Sequence, residues 1–182
     1  MPRNVEIKAC VASLDALDAV EKRAVARSTV PVFSLEQDDT FFNAAQGRLK
    51  LRVERRDGGP LEGVLIAYQR PDQAGPKLSR YVITRTDDPD GLRAALTQAC
   101  GQAGRVVKSR RVVLVGRTRV HLDQVQGLGP FVELEVVLRD DEAVSAGEAE
   151  ATELLAAIGI STKDRLEPAY LDLLLARGVA TD

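Results

Sequence analysis

The chain has no tryptophan, one histidine, one methionine and two cysteines, and aromatic residues make up 4% of its 182 positions. With so few aromatic rings, the chain offers no evident platform on which the bases of a single strand could stack. Cys10 and Cys100 stand far apart, with nothing around them that resembles a metal-binding spacing. We read them as buried free thiols in a reducing cytosol. No apolar run is long enough to cross a bilayer and none reads as a signal peptide, so the expected location is cytoplasmic. Basic excess is absent too. The formal net charge is -2 and the pI about 5.6, which argues against nucleic acid as a partner, and any concentration of positive charge must be local.

The composition is that of an ordinary globular protein, 45% hydrophobic and 29% charged, without repeats or low-complexity segments. The length suits one domain spanning residues 1–182, with closing helices from about residue 142 packed on the rest. Eight segments carry strand pattern, at 4–12, 32–43, 47–56, 61–70, 77–85, 105–115, 117–125 and 130–138. Helical spacing appears after Ser13, a good N-cap, with Leu14, Leu17, Val20 and Val25 as the stripe. It returns over 88–103, with Leu92, Ala95, Leu96 and Ala99 as the expected buried side, and again from about 142 to 158. A last short helix is interrupted at Pro168. The predicted fold is α+β: an eight-stranded antiparallel β-barrel with helices packed outside.

Charge is sorted along these strands. In "GRLKLRVERR", Arg48, Lys50, Arg52 and Glu54 alternate with Leu49, Leu51 and Val53, so three basic side chains leave one face of one strand. In "RTRVHLDQV", Arg117, Arg119, His121 and Asp123 share a face; in "PFVELEVVL", Glu133 and Glu135 do. A solvated face usually mixes signs, whereas these strands separate them. If helices cover the apolar faces from outside, the charged faces turn inward. Two like charges about 4 Å apart repel by roughly 4 kcal/mol at an effective dielectric near 20. An interior of this kind must therefore stay wet and bind polyanions. Carboxylates beside it suit Mg²⁺ or Mn²⁺. The register of 77–85 is open, since Arg80 and Tyr81 cannot share a side. The same holds for Arg110 and Arg111.

The stretches "NVEIK", "GRLKLR", "KSRRVVLVGRTRVHLDQVQGLGPFVELE" and "AYLDLL" resemble the CYTH superfamily of triphosphate tunnel proteins, over most of the chain and in the right order. The run from the sixth to the eighth strand is most similar to class IV adenylate cyclases. The resemblance implies a triphosphate tunnel in which Glu6, Glu133 and Glu135, with Asp123 as a further candidate, hold Mg²⁺ or Mn²⁺. It also implies that Lys8, Arg48, Lys50, Arg52, Arg70, Lys108, Arg110 and Arg119 grip a small-molecule triphosphate, either ATP or inorganic triphosphate. Arg80 and His121 are further candidates for that contact, and Lys8, Arg52 and Glu133 for catalysis. His121 is otherwise read as a hydrogen-bonding wall residue and Tyr170 as core. Asn4 stands where the family's Glu-x-Glu-x-Lys hallmark has its first Glu, so a second metal site would lose a charge while a one-metal arrangement is intact. The implied activity is a cyclase converting ATP to cyclic AMP and pyrophosphate. Alternatives are an inorganic or organic triphosphatase and a non-catalytic nucleotide or polyphosphate binder. A homodimer is expected from the family, with no interface legible.

Overall fold

A computed structural model describes residues 3–69 and 77–179. Its strands are β1 (Arg3–Cys10), β2 (Phe33–Phe42), β3 (Arg48–Arg56), β4 (Leu61–Gln69), β5 (Lys77–Thr86), β6 (Gln102–Val115), β7 (Thr118–Val125) and β8 (Gly129–Leu138). All neighbours pair antiparallel, in the order β5-β4-β3-β2-β6-β7-β8-β1, and pairing of β1 with β5 closes the ring. The closed eight-stranded antiparallel barrel is the fold expected from the strand pattern. A two-residue strand, β9 (Arg165–Leu166), adds to β1 at Lys8 and Ala9.

Hairpin chemistry sets much of this order. Asp57 and Gly58 both take positive φ, 48° and 72°, the conformation required by the tight turn that joins β3 to β4. Gly47 opens β3 at φ 66°, where a Cβ would stand 2.6 Å from the Tyr68 carbonyl oxygen. Only glycine fits there.

The main core lies outside the barrel, between its wall and two helices. Helix α1 (Leu14–Val25) starts at Ser13, whose Oγ accepts the amide of Ala16. Helix α3 (Val144–Ala157) packs on β8 and β1. Val5, Ile7, Val113, Val120, Leu134 and Val136 from the strands meet Leu17, Val20, Ala151 and Leu155 from the helices, all buried. Burying each large aliphatic side chain contributes about 1.5–3 kcal/mol. The strands are thus apolar toward the helices, and their charged faces look into the barrel.

Three local expectations are corrected. The buried stripe of α1 is Leu17, Val20 and Ala24; Leu14 and Val25 point to solvent, because the helix rotates to set the small Ala24 against the wall. Helix α2 (Pro89–Cys100) buries no residue: Leu92 and Leu96 are half-covered, while Ala95 and Ala99 are exposed. Both cysteines are free and exposed rather than buried, Cys10 at the end of β1 and Cys100 at the end of this loosely seated helix. After Pro168, helix α4 (Tyr170–Ala176) covers one mouth of the barrel. No described helix is long and apolar enough to cross a membrane.

Leu134 is fully buried between β1, β7 and the helices. Leu134→Ala should lower unfolding stability by about 2–5 kcal/mol, measured by denaturant titration, because the tightly packed wall can collapse only partly into the gap.

Candidate functional site

Strand register decides what the interior contains. Even-numbered residues of β1, β3, β4 and β6 and odd-numbered residues of β2, β5, β7 and β8 line a cavity of about 440 Å³. Among the described residues, six cations face it, from Lys8, Lys50, Arg52, Lys108, Arg110 and Arg119, against five carboxylates, from Glu6, Asp39, Glu54, Glu133 and Glu135. Charge is unevenly spread: β3 and β6 carry four of these cations, beside Asp39 and Glu54, and the β8–β1 side carries Glu6, Glu133 and Glu135 beside Lys8.

Asp39 organises the basic segment. It is 1% exposed and lies opposite Arg52 across the β2–β3 ladder. Arg52 grips it with two bonds, Nε to Oδ1 at 2.7 Å and Nη2 to Oδ2 at 2.8 Å. Lys50 Nζ donates to Oδ2 at 2.8 Å, and Lys108 Nζ stands 3.6 Å away. Burial works to raise the Asp39 carboxyl, but Arg52, Lys50 and Lys108 together hold it well below its usual range. Burial pushes Lys108 down to about 8, against the pull of Asp39. Lys50 is lowered in the same way, by burial and by Arg52.

A second buried pair anchors the next cation. Arg110 makes two 2.6 Å bonds to Asp123, directly opposite it on β7, and a third of 2.8 Å to Glu133. The Tyr170 hydroxyl donates to Asp123 at 2.8 Å, and its ring lies 4.1 Å from Lys8 Nζ. Lys8 also donates to the Pro168 carbonyl at 2.9 Å. With Phe41, Val106, Phe131, Leu171 and Leu174, Tyr170 fills that end of the barrel.

The acidic segment is built by register as well. Glu6 faces Glu135 and Lys8 faces Glu133 across β1 and β8; His121 faces Glu133 and Arg119 faces Glu135 across β7 and β8. Asn4 Nδ2 donates to Glu135 Oε1, and Arg119 donates to Oε2 at 3.0 Å. Burial would raise the Glu133 carboxyl, but His121, Arg110 and Lys8 keep it well below its usual range. Glu135 is lowered against burial by His121, Arg119 and Asn4. Burial, then Arg110, lowers His121, which favours its neutral form.

The structure brings Lys8, Lys50, Arg52, Lys108, Arg110, Arg119, His121, Glu6, Glu133 and Glu135 to the tunnel. Asp123 stands behind Arg110 rather than on the open surface, fully buried and bonded to Arg110 and Tyr170. Arg48 pairs with Asp172 of α4 at 3.0 Å. Arg80 is exposed and Tyr81 lines the tunnel in its place, which resolves the open register of β5. On β6, Arg110 points in and Arg111 out, to Asp18 and Glu21. Arg70 lies outside the described residues. Sequence reasoning missed Asp39 and Tyr81, and it placed Tyr170 in the core without its polar contacts. The alternation of Gln37, Asp39 and Phe41 along β2 was the available signal for Asp39.

The tunnel's donors suit a hard divalent cation in one respect: Asn4, whose Nδ2 donates to Glu135, has in Oδ1 a buried acceptor with no hydrogen-bond partner among the described residues. Among the described residues, no group of three or more His, Cys, Asp or Glu side chains forms a ready-made cage. A cation here would complete its shell with phosphate oxygens and water, as Mg²⁺ commonly does.

The sequence model of the CYTH domain matches residues 2–170. A Pyrococcus horikoshii protein shares the fold at TM-score 0.76 and 18% identity, covering 96% of this chain and 99% of that one. A candidate adenylate cyclase of Vibrio parahaemolyticus gives 0.71 at 20% identity, covering 94% and 97%. A candidate adenylyl cyclase of Hippeastrum, described as having a dominant triphosphatase activity, gives 0.65 at 15% identity, covering 98% and 97%. A search of the curated proteins finds no match.

Two outcomes follow from Asp39. Asp39→Asn leaves three cations without their shared counter-charge and should cost about 3–5 kcal/mol in unfolding free energy. The second outcome concerns pH. Lys108 titrates near 8 when the tunnel is free, and a bound polyanion raises that value. Affinity for inorganic triphosphate, measured by calorimetry, should therefore fall as pH rises above about 8. In Asp39→Asn the fall should begin at lower pH, because the carboxylate that raises Lys108 is gone.

Proposed function

The chain belongs to the CYTH domain family, and from that membership and the sorting of charge in the tunnel we propose that it is a metal-dependent enzyme acting on a nucleoside triphosphate. The proposed reaction is that of a class IV adenylate cyclase, ATP to cyclic AMP and pyrophosphate. One observation carries the reading: four cations, Lys50, Arg52, Lys108 and Arg110, gather on one side of the cavity, and Glu6, Glu133 and Glu135 gather on the other. A polyphosphate with its cation is a ligand that uses both.

Each group has a physical task in this reaction. Lys50, Arg52 and Lys108, held by Asp39, fix the phosphate chain in place, so its orientation costs little when the reaction begins. Lys8 and Arg52 meet the charge that grows on the departing pyrophosphate as the ribose 3′-oxygen closes on the α-phosphorus. Arg110 and Arg119 bind further phosphate oxygens. Glu6, Glu133 and Glu135, with Asn4 Oδ1, would hold Mg²⁺ or Mn²⁺. When bound, such a cation supplies Lewis-acid polarisation of the phosphate oxygens and fixes their geometry. Asp123, bonded on both sides, positions Arg110 and Tyr170.

The apolar part of the lining favours an organic substrate over a bare polyphosphate. Phe33 and Val112 face each other across β2 and β6, and Ile66 and Ile83 do so across β4 and β5. Inorganic triphosphate has no surface to place against them; a nucleoside does. A triphosphatase, in which water attacks the terminal phosphorus, is the second reading, supported by the activity described for the Hippeastrum neighbour.

The test is incubation with ATP, and separately with inorganic triphosphate, in Mg²⁺ and in Mn²⁺, with the products resolved by chromatography. Cyclic AMP with pyrophosphate is the expected outcome, and Arg52→Gln should reduce kcat/KM about 10²-fold or more. Phosphate release from both substrates would establish the triphosphatase instead. Tight triphosphate binding without turnover would make the chain a binder.

A further inference from the structure

Two residues along β2 from Asp39 stands Gln37, a tunnel residue to which neither the phosphate chain nor the cation gives a task. It is 2% exposed and lines the cavity. Its Nε2 donates to Glu54 Oε2 at 2.7 Å, directly across the β2–β3 ladder. Oε1 is buried, with no hydrogen-bond partner among the described residues. With the amide nitrogen engaged by a carboxylate, an accepting oxygen is what this side chain has left to offer. A buried acceptor that gives up water without gaining a donor is destabilising. The site therefore calls for a donor from elsewhere.

A phosphate chain does not supply one, since its ionised oxygens only accept and the neighbouring Glu54 repels them. Position indicates what does. Inward residues two apart on a strand are separated by about 6.5–7 Å. Along β2 they run Asp39, Gln37, Leu35, Phe33. Asp39 marks the basic cluster, whereas Leu35 and Phe33, with Val112 opposite Phe33 on β6, are apolar. The wall thus passes from cations to apolar surface through Gln37 and Glu54. A nucleotide passes from triphosphate to base through a ribose, whose hydroxyls are donors. The 3′-oxygen is the nucleophile of the proposed cyclisation and must be free to close on the α-phosphorus. Resting on that nucleoside triphosphate reading, we infer that Gln37 Oε1 accepts a hydrogen bond from the substrate's ribose 2′-hydroxyl, with Glu54 as the residue that positions the amide.

Glu54 matters because the two ends of a glutamine amide have nearly the same shape. Turned over, Gln37 would set its carbonyl oxygen against the carboxylate, acceptor against acceptor. Glu54 disfavours that orientation and keeps the oxygen available. The pair has a consequence for selectivity. A site built to bond a hydroxyl loses that bond with an analogue lacking it, so the tunnel should prefer ribonucleotides to 2′-deoxyribonucleotides.

The test is calorimetry with Mg²⁺ and the α,β-methylene analogues of ATP and 2′-deoxy-ATP, which cannot release pyrophosphate, beside inorganic triphosphate. The unaltered chain should bind the ribo analogue about tenfold more tightly than the deoxy one, the worth of one buried hydrogen bond. Gln37→Met, similar in length but without the acceptor, should bring the two together by weakening the ribo form. Glu54→Leu frees the amide to turn over and should shrink the preference as well. Equal affinities in the unaltered chain, or a preference that survives Gln37→Met, would overturn the inference and assign Oε1 to a buried water. Both outcomes would leave the nucleotide-binding tunnel standing. Binding of inorganic triphosphate with no binding of either nucleotide analogue would overturn the nucleoside reading and the inference together.

Discussion

A single buried carboxylate makes the basic interior possible. Arg52, Lys50 and Lys108 come from two strands and would repel one another if each had to find its own counter-ion. Asp39, on the strand between β3 and β6, is reached by all three. It offsets enough repulsion for the barrel to close while leaving the cations in excess. Each further carboxylate against these three cations would lower the charge left for a phosphate chain. The same logic recurs one strand along, where Asp123 holds Arg110. Affinity for an anion and stability of the empty fold thus pull against each other, and the number of buried carboxylates sets the balance.

That arrangement works because the apolar core is elsewhere. Each strand of the β1–β8–β7–β6 wall serves two environments, giving aliphatic side chains to α1 and α3 and charged ones to the tunnel. A barrel packed inside would have no room for charge. One with both faces wet would have no core. The helices therefore stabilise the site indirectly, by holding strands whose inward charges are costly to gather in an empty protein.

The two faces were readable where burial contrast is strong. On β3 three bases alternate with Leu49, Leu51 and Val53, and period 2 alone assigns the faces. On β5 the contrast fails: Val82 and Ile83 are adjacent, and both are more than half exposed, so periodicity could not choose between Arg80 and Tyr81. Asp39 was hidden for another reason. It follows Asp38, which points outward to Arg105 at 2.7 Å, and two neighbouring acids define no face. Its meaning depends on partners 11, 13 and 69 positions away. Such partners become visible only through register. Helix α2 misled because helical spacing reports amphipathicity, not whether a surface is available to bury it.

The end of the barrel filled by Tyr170 and its apolar neighbours is a wall to anything lodged against it. A molecule resting there leaves past whatever lies between it and the open side of the cavity. If a nucleotide enters with its phosphates leading, whatever forms at the deep end must wait for whatever lies nearer the opening. For a reaction that splits its substrate in two, the order of departure is then set by architecture. The rear product could slow the whole cycle even when the bond-breaking step is fast.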